Sequence, residues 1–313
     1  MTPPRFRRLS AWLRERYGTR VFKVSLRGGF TCPNRDGRLG RNGCAFCAGD
    51  ALEPPGYTRG QDLSVQLSSG MDYVSRRYGV ARFVAYFQDY SATYASASRL
   101  REVYGAALAR PEVVALAVGT RPDCLDGEAL AVLDELRRER DVWLELGLQI
   151  ADDAVLEALG RGHGVRAFIE ACEATRKIGL PVCAHVIIGL PGVTSAKERE
   201  TASLLGDLGL WGVKLHAFHV VEGSPLARQH RRAPLGLLSM KEHVERVVAF
   251  LEELPAQMVV HRVTGEAPPR LTLAPTWTVN KLVVFDAVVA ELERAGTWQG
   301  RLRGCPGPGG SSG

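Results

Sequence analysis

The run Val21-Phe22-Lys23-Val24-Ser25-Leu26 leads through Arg27-Gly28-Gly29 into Phe30-Thr31-Cys32-Pro33-Asn34-Arg35-Asp36-Gly37, and Gly43-Cys44-Ala45-Phe46-Cys47 follows. The first six residues read as a strand, largely apolar, with glycines closing it. Three soft ligands, Cys32, Cys44 and Cys47, then stand on one loop with no fourth beside them. Thiolates select zinc or iron–sulfur clusters; a structural zinc wants four protein ligands, whereas a cluster can leave one iron for another molecule. The spacing therefore points to an open metal site at the carboxyl end of a strand.

Working outward, strand candidates recur at Phe83–Gln88, Val113–Gly119, Val142–Leu148, Val182–Ile188 and Val213–Phe218. Amphipathic stretches near Leu63–Tyr78, Arg99–Ala109, Glu128–Arg138, Val165–Ile178 and Lys197–Leu208 lie between them. Strand and helix in alternation signify a parallel sheet of the α/β class, either open and doubly wound or an incomplete barrel. In both, ligands gather where the strands' carboxyl ends feed their loops, which is where the cysteine loop falls. The expected organisation is an N-terminal helical segment over residues 1–20, the six β/α units over 21–225 and a C-terminal α/β extension over 226–300. Helices at Lys241–Leu254 and Val279–Arg294 and a strand at Met258–Arg262 make up that extension, and residues 301–313, rich in Gly, Pro and Ser, are expected to form a disordered tail.

A chain of 313 residues with 45% hydrophobic and 24% charged content can bury a large core. No apolar run is long enough to span a bilayer, and Trp12-Leu13-Arg14-Glu15-Arg16 places charges where a signal peptide needs an apolar stretch. A cytoplasmic location, away from membranes, is the expectation. Seven cysteines, three clustered and four scattered, favour ligation in a reducing compartment over a disulfide framework. A net charge of +6 permits a polyanionic partner without demanding one.

Residues 17–298 carry further motifs in order: Ala85-Tyr86-Phe87-Gln88, Gly119-Thr120-Arg121-Pro122-Asp123-Cys124, Leu144-Glu145-Leu146-Gly147-Leu148-Gln149, Arg161-Gly162-His163 and Gly189-Leu190-Pro191-Gly192. With the cysteine loop, they resemble the radical S-adenosylmethionine (SAM) enzymes. The resemblance is to the branch containing the elongator catalytic subunit and oxygen-independent coproporphyrinogen oxidase, and in particular to the bacterial YhcC-like family. It implies a partial (β/α)6 TIM-like barrel. It also implies one 4Fe-4S cluster held by Cys32, Cys44 and Cys47, with SAM on the fourth iron. The C-x11-C-x2-C spacing departs from the commonest C-x3-C-x2-C and matches the YhcC-like pattern.

The same resemblance carries over Phe46, beside the adenine, and Gln149 and Arg161, which contact the methionine or ribose portion of SAM. A guanidinium suits a carboxylate because it can bond it twice. His185 stands where some relatives carry a ribose-binding aspartate, and Gly189 is expected to let backbone pass close to the adenine. For the SAM amine, where many relatives carry a Gly-Gly-Glu type sequence, this chain has Tyr86-Phe87-Gln88-Asp89-Tyr90-Ser91, so Gln88 or Asp89 is the candidate. Alternation puts Lys214, His216 and Phe218 on one face. If that face lines the barrel, Lys214 and His216 are the candidate catalytic pair; if it meets a helix, they are structural. Tyr86, Asp123, Glu145 and His261 are weaker candidates, and Cys124, Cys172, Cys183 and Cys305 read as buried or incidental thiols.

The reading is an enzyme that cleaves SAM reductively to methionine and a 5′-deoxyadenosyl radical, which abstracts a hydrogen atom from a substrate, with RNA as one class. A flavodoxin or ferredoxin is the electron donor the resemblance implies. The rival from another class is a non-catalytic iron–sulfur or zinc protein that binds a partner or senses redox state, with Cys124 or His163 completing a zinc site. A methylthiotransferase would need a second cluster, which the cysteine pattern does not supply.

Overall fold

The computed structural model describes residues 4–48, 60–265 and 267–308. Seven parallel strands form one sheet in chain order: β1 (Val21–Leu26), β2 (Arg82–Phe87), β3 (Val113–Thr120), β4 (Asp141–Gln149), β5 (Val182–Ile188), β6 (Gly212–Ala217) and β8 (Val259–Arg262). The first six are the strands read from sequence, displaced by a residue or so at their ends. The seventh is the strand expected at Met258–Arg262. Val259–Arg262, assigned to an extension, pairs with β6 through Gly212↔Val259 and Val213↔Val260. Parallel strands buried on both faces read as continuous apolar runs, which is why β3 and β5 are almost uninterrupted.

The crossover helices are α2 (Leu63–Tyr78), α3 (Ala97–Leu108), α4 (Gly127–Leu136), α5 (Asp153–Ala158), α6 (Val165–Lys177), α7 (Ser195–Asp207) and α9 (Met240–Glu252). Five of these seven start at a capping side chain. Ser96, Asp126, Asp152 and Thr194 each accept a bond from a backbone N–H three residues on, and Ser239 forms a capping box with Glu242. Between helices and sheet lies the main core, with Phe83, Leu116, Leu144, Phe168, Val186 and Leu215 among its fully or nearly fully buried side chains.

The sheet is curled: Glu145 on β4 reaches Lys23 on β1, Lys214 on β6 and His261 on β8. The enclosed interior is layered. At the amino ends of the strands, α1 (Leu9–Tyr17) plugs the opening with Leu9, Leu13 and Trp12, the last meeting Trp143 and Trp211 edge-on at 6.5 and 5.0 Å. At the carboxyl ends a second apolar cluster gathers Ile187, Leu190, Phe218, Val220 and Leu226, with Phe46 packed against it. It includes parts of a small antiparallel ribbon, β7 (Val220–Val221) with β9 (Thr272–Ala274), and of α8 (Pro225–Arg232), features too short to declare themselves in sequence.

The last helix, α10 (Lys281–Arg294), packs on α9. The ordered chain passes the boundary expected at 301. Arg301–Arg303 form a 3₁₀ turn, Arg303 donates to the Glu253 and Ser203 carbonyls, and Trp298 Nε1 donates to the Cys305 carbonyl at 2.9 Å. These contacts hold the segment because arginine and tryptophan supply donors that its glycines and prolines lack. Residues 309–313 of the expected tail lie outside the described residues.

Candidate active site

Directly after β1 the chain turns through Pro33–Gly43, held by backbone bonds from Leu39 and Gly40 to the Pro33 carbonyl and from Gly43 to that of Asn34. Ala45 N donates to the Leu159 carbonyl, while Leu226 N donates to that of Ala45, so the loop is tied to α5 and α8. The thiols of this loop receive donors. Asn34 Nδ2 and Arg161 Nη1 each stand 3.3 Å from Cys44 Sγ, and Arg35 Nη1 is 3.9 Å from Cys47 Sγ. N–H groups aimed at sulfur favour the anionic, ligating form.

Arg161 is the hinge of the site. Its Nη2 donates to the Gly147 carbonyl at 2.9 Å and to His163 Nε2 at 3.0 Å, and its guanidinium sits 5.9 Å from the Phe46 ring centroid. Arg161 Nε has no hydrogen-bond partner among the described residues although buried, and the same holds for Arg121 Nη1. Arg121 is 3% exposed and doubly bonded to Asp123 at 2.8 and 2.9 Å; burial works against its charge, but Asp123 raises its pKa above the usual arginine value. Orphaned cationic donors beside thiols fit an anionic group such as a cluster with a carboxylate ligand. Arg121 was quoted in sequence as part of a motif and not as a site residue. Its signal was a charged residue at the end of an otherwise apolar strand.

Gln149 is 8% exposed and adopts φ 75°, unusual for a residue with a side chain, at a break in the β4–β5 register. A Cβ on Gly147 would meet Gln149 Nε2 at 2.8 Å and Arg161 Nη2 at 3.0 Å, so glycine is what lets both side chains lie across β4. Gly189, at φ 85°, donates its N–H to Glu198 at 2.7 Å, and its bare face packs on Leu238, whose Cδ1 would stand 2.7 Å from a Cβ. Leu238 thus occupies the side of Gly189 that a Cβ would fill. Gln88 is exposed at the end of β2, with Nε2 3.5 Å from Ser25 Oγ. Its neighbour Asp89 is mostly buried with Oδ1 unpartnered among the described residues. Burial pushes its carboxyl up to about 6 against the pull of Arg27, 3.9 Å away.

Among the described residues no three His, Cys, Asp or Glu side chains stand close enough to grip a single metal ion. The proposed fourth zinc ligands are also engaged elsewhere. His163 Nε2 accepts from Arg161, and burial followed by Arg161 pulls its pKa down to about 4. Burial pushes the Cys124 thiol up to about 11.

One layer below this mouth, the face holding Lys214 and His216 lines the barrel. Glu145, fully buried, is its hub: Lys214 Nζ at 2.7 Å and His185 Nε2 at 2.8 Å reach one oxygen, and Lys23 and, at 3.3 Å, Trp143 Nε1 reach the other. His261 Nδ1 stands 3.5 Å away, an electrostatic contact and not a good hydrogen bond. Lys214 also donates to the Tyr86 hydroxyl at 2.6 Å. Burial alone would push the Glu145 carboxyl up; Lys214, Lys23 and His185 outweigh it and hold it well below the usual range. Burial pulls the Lys214 ammonium down to about 7 and His185 to about 3, so the imidazole is neutral and donates Nε2–H to Glu145. His216 lies 5.1 Å from His185, centroid to centroid, beside Arg262. The weaker candidates Tyr86, Glu145 and His261 thus join Lys214, His216 and His185 in one network, while Asp123 belongs to the mouth. Lys23 went unnoticed in sequence.

Residues 36–205 match the radical SAM superfamily and residues 210–294 the radical SAM C-terminal domain. The chain is 37% identical over 301 residues to the uncharacterized protein YtqA of Bacillus subtilis, covering 96% of this chain and 94% of that one. It is 35% identical over 293 residues to protein YhcC of Escherichia coli, covering 92% and 94%. A tRNA uridine(34) acetyltransferase of Methanocaldococcus infernus is 25% identical over 167 residues, 51% of this chain and 30% of that one. Among solved structures, the archaeal Elp3 of Methanocaldococcus infernus with an N-terminal deletion superposes with a TM-score of 0.67 at 16% identity, covering 89% of this chain and 64% of that one. Members of the superfamily bind a 4Fe-4S cluster and SAM, and the donor set at the mouth fits both. No helix among the described residues is long and apolar enough to cross a membrane. The half-barrel, the three-thiol loop at its mouth and the extent of these matches together make the chain a member of the radical SAM superfamily, in the family of YhcC and YtqA.

Proposed function

We propose that this protein abstracts a hydrogen atom from an RNA substrate, with Cys32, Cys44 and Cys47 as the cluster ligands. The observation that carries the site assignment is the convergence of Asn34 and Arg161 on Cys44 beside two buried guanidinium N–H groups that have no partner among the described residues. When bound, the cluster supplies the electron that cleaves SAM. Arg161 and Gln149 hold the methionine or ribose portion, Phe46 and the backbone at Gly189 bound the adenine, and His185, whose Nε2 is spent on Glu145, offers Nδ1 to the ribose. Asp89, whose Oδ1 has no partner among the described residues, suits the SAM amine better than the exposed Gln88 does. The apolar cluster around Phe46 and Phe218 keeps water from the reacting centre.

Support for RNA comes from the rim. Arg38 and Arg41 on the cysteine loop and Arg228 and Arg232 on α8 are exposed, and the two elements are joined by the Leu226–Ala45 bond. Arg35 and Arg38 lie over the rings of Tyr90 and Tyr94 at 5.4 and 5.8 Å, an interleaving of cations and aromatics suited to bases and phosphates. The tRNA-directed name of one relative points the same way. A flavodoxin or ferredoxin in the cytoplasm is the donor this reading calls for. The test is anaerobic reconstitution, electron paramagnetic resonance with and without SAM, chromatography for 5′-deoxyadenosine, and salt-dependent RNA binding. A SAM-perturbed four-iron signal, 5′-deoxyadenosine and RNA affinity that falls steeply with salt are expected. A reconstituted cluster that ignores SAM would favour a non-catalytic iron–sulfur protein, and SAM cleavage without RNA affinity at low salt would remove RNA alone.

A further inference from the structure

The network around Glu145 carries more charge than a structural ion pair needs. One buried carboxylate is shared by two ammonium groups, Lys23 and Lys214, and each of its oxygens is already engaged by one of them. A single lysine would neutralise it; a second positive charge in this low-dielectric interior is costly, burial accordingly pulls Lys214 down to about 7, and an anion placed between the two ammonium groups would answer the charge. The imidazoles facing this space, His185, His216 and His261, do not supply an anion, and Arg262 of β8 adds to the positive field. Tyr86 and Cys183, the remaining titratable groups on the inward faces, have pKa values raised by burial first, so they stay protonated.

The layer is also reachable. Lys23 and His185 keep 20% and 17% of their side chains exposed, whereas Glu145 keeps none. Above it Gln149 and Arg161 lie across the Cβ-less Gly147 of β4, both polar and able to turn with a ligand, and the residue of β3 that pairs with Glu145 is Gly119, which carries no side chain. Glu145 precedes Gly147 by two residues, about 7 Å along the strand, so the network lies one side-chain layer beneath Arg161 and the cysteine loop.

We infer that this layer is an oxyanion site, in which Lys23 and Lys214, sharing one carboxylate, take up a carboxylate or phosphate group of the substrate inside the barrel. The inference rests on the proposed function for the route by which substrate enters. It assigns the interior lysines to substrate anchoring, and His185 and His216 to the rim of that anchor. A purely structural network would need both lysines for folding and would gain nothing from an added anion.

The test titrates inorganic phosphate and acetate, in separate arms, into the purified full chain and into Lys23→Met and Glu145→Gln variants, reading both calorimetric binding and the shift of the urea midpoint. Saturable binding to the wild type is expected in at least one arm, and the tighter arm names the group, phosphate or carboxylate. Lys23→Met is expected to fold as well as the wild type, because Lys214 still neutralises Glu145, yet to bind about tenfold more weakly or worse. Glu145→Gln is expected to move the other way, about tenfold tighter, with phosphate or acetate restoring stability that the substitution removes. Absence of binding in both arms, equal binding to wild type and Lys23→Met, failure of Lys23→Met to fold, or weaker binding to Glu145→Gln would each overturn the inference. Formation of 5′-deoxyadenosine is scored on the same reconstituted preparations; its loss strikes the radical SAM reading, and its presence without anion binding strikes only the oxyanion site.

Discussion

The mouth of the barrel and the layer beneath it are both polar and both buried, but they are built from different materials. At the mouth, Cys32, Cys44, Arg121 and Arg161 stand on loops, and two guanidinium N–H groups have no partner among the described residues. One layer down, Glu145 stands on a strand with both oxygens engaged by lysine, histidine and tryptophan. Unspent donors mark a place that awaits a ligand. Saturated carboxylate oxygens mark a hub that the fold depends on, even where the lysines around it have charge to spare. The two regions should therefore answer differently to deletion, the mouth losing cofactor and the interior losing stability.

The largest contrast is expected from replacing all three thiols together. Cys32→Ala with Cys44→Ala and Cys47→Ala should abolish iron incorporation after reconstitution while leaving a cooperative urea transition and an unchanged far-ultraviolet spectrum. The core lies between helices and sheet and below the mouth, and small losses of about 1 kcal/mol per buried thiol are all that packing predicts. Global unfolding would show that the loop is a structural staple and erase the distinction.

Next in size is Glu145→Leu. Removing one partner of a buried, multiply bonded charge leaves the others unpaired and typically costs about 3–5 kcal/mol. The urea midpoint should fall accordingly, with the cluster still reconstituted in the fraction that folds. A neutral result would mean that solvent, and not Glu145, satisfies Lys23 and Lys214.

Much of the scaffold was legible because the central strands are buried on both faces and the helices carry an apolar face; Val182–Ile188 and Leu63–Tyr78 fall where the periodicity puts them. The cysteines and Arg161 were legible as a motif. The Glu145 network was not, for a geometric reason. Alternation says that Lys214 and His216 share a face, but which residues they meet depends on the curl that carries β1 round to face β4 and β6. Lys23 had a local signal, a cation at an interior position of an apolar strand, without any indication of its partner. Likewise Val259–Arg262 read as a strand, but its place beside β6 is decided by α1 and the Arg8–Val260 bridge, contacts distant in sequence.

The smallest effect is visible only as a slope. His185, His261 and His243 are buried and neutral, their pKa values pulled by burial to about 3, 4 and 4 from 6.5, so between about pH 4 and 6.5 the unfolded chain binds protons that the folded chain refuses. Stability therefore rises with pH there. Asp89, raised by burial to about 6 from 3.8, pulls the other way, since its folded form keeps a proton that the unfolded form has lost, and Glu198, also raised by burial, does the same; but His163, His216 and His219, lowered by burial, add to the three imidazoles on the other side. Lys214 extends the rise from about pH 7 to 9: with its pKa lowered to about 7 from 10.5, its burial penalty is present below 7 and is relieved above it, until near pH 9 the unfolded chain sheds protons that Cys124, Cys172 and Cys183, raised by burial, keep in the fold. Urea midpoints measured across this range should climb in two stages, and Lys214→Met should flatten the alkaline stage while leaving the acid stage in place. An alkaline stage that survives in Lys214→Met would assign that titration elsewhere and place the interior lysine in contact with water, making the layer beneath the mouth as open as the mouth itself.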